Sequence, residues 1–306
     1  MSLHAFFEGE FVPQEEAKIG ILTHAFNYGT AVMDGYRGFW NSGRDEMFLF
    51  RLRNHFDRFL ANCKILRIQV APTTDDLIGI AVELARRCAV KQDLLFRPLA
   101  YKASQSLGVR LHDLADALLI STTDMGPYLP ETGVRCRTAT WRRIPDISVP
   151  ARAKITGLYV NNALARAEAA QDGYDEAVML SENGHVSEAG PANVFIVRKH
   201  RVITPPVYDD ILEGITRDTV ISLARDELEL EVVERPIDRS ELYVADEAFL
   251  CGTANHMTPI LEVDRRVVGE GEEGLLTAKL RGLYQEVARC ARPDYEHWCT
   301  PVLGRP

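Results

Sequence analysis

The sequence predicts a mixed α+β protein of two domains, and three observations carry that reading. The chain has 306 residues; at roughly 150 residues per domain, that is about two domains. Strand-like and helical stretches interleave without the regular spacing of βαβ units, which argues against a parallel doubly wound sheet. The stretch 123–133 (Thr-Asp-Met-Gly-Pro-Tyr-Leu-Pro-Glu-Thr-Gly) carries two prolines and two glycines and reads as a linker. The expected division is a small domain over 1–122 and a larger one over 134–306.

The elements follow in order. Phe6–Phe7, Phe11–Val12, Phe39–Trp40 and Met47–Phe50 read as short strands. Between 51 and 68 the period changes: Leu52, Phe56, Phe59, Leu60, Cys63 and Leu66 recur at steps of three and four, the stripe of an amphipathic helix. A second helix is expected from Thr74 to Val90, after Pro72 and a Thr-Thr-Asp start signal. Leu94–Tyr101 and Ala115–Thr122 read as strands. Beyond the linker, strands are expected near 134–140, 176–181, 193–198, 202–204, 231–235 and 246–251, and helices over 160–172, 215–228 and 274–290. No internal repeat is visible.

Hydrophobic residues make up 46% and charged residues 26%, the balance of an ordinary soluble protein. The net charge of −9 excludes a broad basic field for nucleic acid, though not a small anion site. No run of about 18 apolar residues predicts a membrane span. The first residues are soon interrupted by Glu8 and Glu10 and lack a secretory apolar block, so a cytoplasmic location is expected. The cysteines at 63, 88, 136, 251, 290 and 299 show no Cys-x-x-Cys spacing; they read as buried reduced thiols, and no metal site is read.

Only seven residues are lysine (18, 64, 91, 102, 154, 199 and 279), so candidates for amine chemistry are few. Lys154 stands apart, in Ala-Lys-Ile-Thr-Gly-Leu-Tyr, just before a helix and among small and apolar neighbours. A lysine desolvated there would offer more free amine near neutral pH. A surface lysine lying along the fold is the plainer alternative.

Two segments resemble anion cradles. Gly214 precedes the helix expected from Ile215, so the backbone N–H groups of Ile215 and Thr216 and the Thr216 hydroxyl are placed to hold a phosphate at the positive helix end. Leu250-Cys251-Gly252-Thr253-Ala254-Asn255 follows a strand-like run and offers small residues and a hydroxyl. Arg58, on the flank of the first long helix, adds a candidate fixed charge. Each has a bland alternative: a capped helix, an ordinary turn, a solvated face.

Together these segments resemble the branched-chain amino acid aminotransferases, which share the class IV, fold type IV architecture of pyridoxal-phosphate enzymes with D-amino acid aminotransferases and aminodeoxychorismate lyase. The resemblance rests on His24-Ala-Phe-Asn-Tyr-Gly-Thr-Ala-Val-Met-Asp-Gly35, Arg51-Leu-Arg-Asn-His-Phe-Asp-Arg58 and Lys154-Ile-Thr-Gly-Leu-Tyr159 with Asn161 and Asn162. It continues through Gly173-Tyr-Asp-Glu-Ala177, Glu188-Ala-Gly-Pro-Ala-Asn-Val-Phe195, Gly214-Ile-Thr-Arg217, and Gly252-Thr-Ala254 with Thr258-Pro259. It implies a small N-terminal α/β domain and a larger, barrel-like, cofactor-binding domain.

It also implies roles. Lys154 would join the aldehyde of pyridoxal 5′-phosphate and, once released, move the proton at the substrate Cα. Glu188 would face the pyridine nitrogen and Tyr159 the phenolic oxygen. Arg58, Gly214, Ile215, Thr216, Gly252 and Thr253 would hold the phosphate, with Asn193 a further cofactor residue. Tyr28, Gly35, Leu95, Arg97, Met125, Tyr128, Thr253 and Ala254 would line the substrate pocket. His24 and His55 are expected to be structural. Leu95 stands where the family usually has a tyrosine, Met125 where it often has tryptophan, and Ala192 where a glutamate is usual. A lost hydroxyl and an adaptable wall point to a relaxed donor range. The expected reaction moves the amino group of L-leucine, L-isoleucine or L-valine to 2-oxoglutarate. Transamination of D-amino acids or (R)-amines is the alternative within the fold; a lyase and a non-catalytic binding protein follow. A homodimer is implied, with the loop Ser106-Leu-Gly-Val-Arg110 reaching toward the partner subunit.

Overall fold

The computed structural model describes residues 3–126 and 128–304. The chain forms two compact units. Among the described residues, one takes in 3–126, Ala153–Gly157 and 286–304; the other takes in 128–152 and Leu158–Gln285. This differs from the contiguous division expected at 123–133. Proline and glycine mark one crossing, whereas two later segments belong with the first unit because they pair with its strands.

In the first unit the elements are β1 (His4–Phe7), β2 (Glu10–Pro13), α1 (His24–Tyr28), β3 (Ala31–Met33), β4 (Tyr36–Asn41), β5 (Glu46–Phe50), α2 (Leu52–Ile65), α3 (Thr74–Cys88), β6 (Leu94–Lys102) and β7 (Asp116–Thr123). The rest of the chain gives β8 (Val134–Thr138), α4 (Tyr159–Gln171), β9 (Glu176–Leu180), β10 (Val186–Ala189), β11 (Ala192–Arg198), β12 (Arg201–Thr204), α5 (Ile215–Asp226), β13 (Val232–Glu234), β14 (Glu247–Gly252), β15 (His256–Val263), β16 (Arg266–Val267), α6 (Leu275–Ala288) and β17 (Cys299–Pro301). Every expected helix and strand is present, with ends that shift by a few residues. The sequence reading lacked α1, β3, β10, β16 and β17, which are two to five residues long, and β15, whose run is interrupted by Pro259.

The first sheet has the order β17-β5-β4-β6-β7-β1-β2, and β3 also pairs with β6. Helix α2 buries Leu52, Phe56, Phe59 and Cys63 on one stripe. Helix α3 starts on a capping box between Thr73 and Asp76. The two helices share a core with Tyr36, Leu49, Leu94 and Phe96.

The second sheet closes on itself. Strands β10, β9, β8, β15, β14 and β11 pair in that order, and β10 pairs β11 to complete a barrel; β12 and β13 extend it. Val134, Val178, Val194, Leu250 and Ile260 pack in one core. On the far side of β9, Ala165 and Ala169 of α4 pack on Ala177 and Met179. All six cysteines are free and buried. Among the described residues no helix is long and apolar enough to cross a membrane.

Candidate active site

In the second unit the site is built at one end of the barrel. Glu188 lies on β10 opposite Asn193 on β11, and Asn193 lies opposite Cys251 on β14, which ends at Gly252. The hairpin between β10 and β11 turns at Gly190, with φ +48°, where an added Cβ would stand 2.6 Å from the Glu176 carboxyl.

The Glu188 carboxylate is buried and gripped from three directions. Arg143 pairs with Oε2 at 3.0 Å. The Leu212 N–H donates to Oε1 at 2.7 Å and Asn193 Nδ2 donates to the same oxygen at 3.2 Å. Arg143 is itself held: Nε donates to the Asp210 carbonyl at 3.0 Å, and Nη1 to Asn162 Oδ1 at 2.9 Å. Asn162, one turn into α4, donates back to the Gly190 carbonyl. That chain of bonds ties the helix bearing Tyr159 to the hairpin bearing Glu188. Nothing in the sequence marks Arg143 or Asn162 as a site residue. Two adjacent arginines at 142 and 143 give no periodicity to say which turns inward; the one available signal is that a buried Glu188 needs a cation.

Gly214 caps α5 in extended conformation. A Cβ there would overlap Asn193 Oδ1, so the asparagine amide occupies the space a side chain would need. Asn193 also donates to the Leu212 carbonyl at 3.0 Å, fixing the approach to the helix. The first N–H groups of α5, those of Ile215 and Thr216 among them, have no acceptor within the helix and suit an anion. The Gly252 turn lies over the barrel end, where an added Cβ would approach the Pro191 carbonyl oxygen at 3.6 Å. Thr253 and Ala254 are partly exposed there. In the same turn both polar side-chain atoms of buried Asn255 have no partner among the described residues. Glu188, Asn193, Gly214, Ile215, Thr216, Gly252 and Thr253 are thus brought together. Tyr128 is half-buried beneath Arg166, whose guanidinium carbon lies 4.5 Å from its ring centre.

In the first unit Lys154 is laid along β3. Its carbonyl accepts the Met33 N–H at 2.9 Å, and Ile155 bridges Val32. Gly29, with φ +65°, permits this: a Cβ there would stand 2.7 Å from the Gly157 Cα. Lys154 is partly buried. Arg58 is not a solvated flank residue; it donates Nε and Nη2 to Asp34, which is buried, at 2.9 and 2.7 Å. His55 is buried on the same carboxylate and His24 bonds Thr30 and Gly108, positions suited to structural roles. Gly35 follows Asp34 and Leu95 is buried on β6, while Arg97 on the same strand is exposed. The Met125 carbonyl accepts Arg37 Nη1 at 3.2 Å. The Tyr28 hydroxyl accepts the Gly108 N–H at 2.9 Å.

A family model of amino-transferase class IV matches residues 32–263. A probable branched-chain-amino-acid aminotransferase of Aquifex aeolicus is 42% identical over 302 residues, 98% of this chain and 97% of that protein. The branched-chain aminotransferase of Thermoproteus uzoniensis, solved with norvaline, superposes with a TM-score of 0.94 at 40% identity, covering 99% of this chain and all of that one. The branched-chain aminotransferase of Thermobaculum terrenum, solved in its pyridoxal-phosphate form, also gives a TM-score of 0.94, at 37% identity over 98% of each chain.

Proposed function

The chain belongs to the class IV amino-transferase family, and from that premise we propose that it is a pyridoxal-phosphate-dependent branched-chain amino acid aminotransferase. It takes the amino group from L-leucine, L-isoleucine or L-valine and passes it to 2-oxoglutarate. The names of its relatives support this, as does the cofactor held by the Thermobaculum terrenum enzyme. The observation that carries the reading is the buried, three-way grip on Glu188 beside the α5 start and the Gly252 turn.

The residues suit the cofactor: a fixed carboxylate for a ring nitrogen, a helix start beside a glycine cradle for a phosphate, and Asn255 atoms with no partner among the described residues in the adjoining turn. When bound, pyridoxal phosphate supplies an aldehyde carbon and an electron-withdrawing ring. Lys154 would hold that aldehyde through its amine and, once freed, take and return the substrate Cα proton. Glu188 would accept a hydrogen bond from the ring nitrogen and keep it protonated, with Arg143 fixing the carboxylate plane. Tyr159 would bond the phenolic oxygen. Arg58, Ile215, Thr216 and Thr253 would bind the phosphate.

Tyr28, Gly35, Leu95, Arg97, Met125, Tyr128, Thr253 and Ala254 would form the substrate pocket. Leu95 and Met125 make its wall apolar and adaptable, so larger or less usual donors enter as well. Exposed apolar side chains on and beside α1 (Ile21 and Phe26) and on the loop tied to it (Leu107 and Val109) support a homodimer. Six buried free cysteines support a cytoplasmic site of action.

A two-half-reaction spectral assay tests the reading. The bound cofactor is expected to lose its aldehyde-form absorption with L-leucine, L-isoleucine or L-valine and to regain it with 2-oxoglutarate. Conversion by D-alanine or (R)-1-phenylethylamine alone would reassign the enzyme to D-amino acids or amines. A colourless protein that takes up no cofactor would leave only a binding role.

A further inference from the structure

Asp34 follows directly on β3 and is fully buried. Its carboxylate collects donors from three residues. Arg58 gives Nε to Oδ2 at 2.9 Å and Nη2 to Oδ1 at 2.7 Å. His55 Nδ1 lies 2.8 Å from Oδ1, and the Gly35 N–H lies 2.7 Å from it. Both side-chain partners come from α2, three residues apart, so they stand on one face of that helix. Burial alone would raise the Asp34 pKa, but Arg58 and His55 outweigh it and hold the carboxyl well below the usual range. Burial pushes the His55 pKa down while Asp34 pulls it up, and the hydrogen bond to the carboxylate needs the proton on Nδ1. A forked pair of this kind fixes the plane of a guanidinium as well as its position.

The same short segment holds Lys154. The Met33 N–H donates to the Lys154 carbonyl and Val32 bridges Ile155, so the residues just before Asp34 register the lysine backbone. Residues 32–34 therefore set two things at once: where the Lys154 main chain lies, and which way Arg58 points.

We propose that Asp34 is a positioning residue that aims Arg58 at the cofactor phosphate and keeps that grip at a fixed distance from the Lys154 amine. This rests on reading Arg58 as a phosphate contact. Asp34 touches neither substrate nor cofactor; it acts through the fork. Losing its charge while keeping its shape lets the guanidinium swing, which weakens the phosphate contact and leaves the ring contacts in place.

The test compares pyridoxal phosphate with pyridoxal, which lacks the phosphate, as ligands of the full chain. In Asp34→Asn the dissociation constant for pyridoxal phosphate should rise about tenfold or more, the size of a lost charged hydrogen bond, while that for pyridoxal stays within about twofold of wild type, well under that loss. The ³¹P resonance of the bound phosphate should move. Asp34→Glu, which keeps the charge and lengthens the arm, serves if the asparagine variant does not fold; it should shift the same resonance and weaken pyridoxal phosphate selectively, by about threefold. Wild-type affinity ratio and wild-type resonance in either folded variant would overturn the proposal, as would equal loss for both ligands. If borohydride labels Lys154 in the wild-type chain but the variants behave as wild type, this proposal alone falls. If Lys154 is not labelled, the functional reading falls and takes this one with it.

Discussion

Arg143 Nη2 stands 3.0 Å from Glu188 Oε2, and the two residues are only 6% and 4% exposed. The pair joins the segment after β8 to the β10 strand, and it makes the orientation of Glu188 a property of the barrel rather than of solvent. Removing one member of a buried pair strands the other without a countercharge.

Arg143→Met should therefore destabilise the folded chain by about 3–5 kcal/mol, read as a lower midpoint in urea denaturation. It should also weaken cofactor binding. Stability within about 1 kcal/mol of wild type would mean that Glu188 is charge-balanced by other groups.

Gly214→Ala tests the α5 cradle. The backbone at 214 is extended and tolerates alanine, so strain is not the issue. The added Cβ would meet Asn193 Oδ1, and the amide must leave both Glu188 and the Leu212 carbonyl. The expected outcome is roughly a tenfold loss in pyridoxal phosphate affinity, with near-normal far-ultraviolet circular dichroism. Wild-type affinity would show that the Asn193 bonds are dispensable.

Glu176 gives a pH signature. It is fully buried at the start of β9; burial raises its pKa, against the Ala177 N–H and Arg166, which lower it. Its Oε2 has no hydrogen-bond partner among the described residues. Because the folded pKa lies above the unfolded one, the folded chain retains a proton that the unfolded chain releases. Stability is then lost as pH rises from the ordinary carboxylate range through the folded pKa, at about 1.4 kcal/mol per pH unit at most. Glu176→Gln cannot ionise and should be more stable than wild type at pH 8, with the difference shrinking toward pH 4. Urea midpoints across that range check it; a difference independent of pH would contradict it.

Much of this was legible in the sequence, for reasons that can be named. The stripe from Leu52 to Cys63 specifies α2 because a helix with one buried face must repeat that way. Lys154, Glu188 and Gly214 stand out because scarce lysines, a carboxylate beside Gly-Pro and a glycine before a helix are local signals. Asp34 and Arg143 do not stand out. Their importance lies in partners 24 and 45 residues away, and no period or spacing encodes such contacts. Strand β10 is only four residues long, too short to show alternation. Strand β17 pairs with β5 across most of the chain, and its three residues carry no signal of that partner. Residues 153–157 join the first unit through backbone pairing with β3, which composition does not encode.

The side chain of Lys154 would carry the reacting amine. Borohydride reduction of the cofactor-loaded protein, followed by peptide mapping, locates that amine. One pyridoxyl-modified peptide is expected, with the label on Lys154. A label on any of the other six lysines, or no label on a protein that has bound the cofactor, would contradict it.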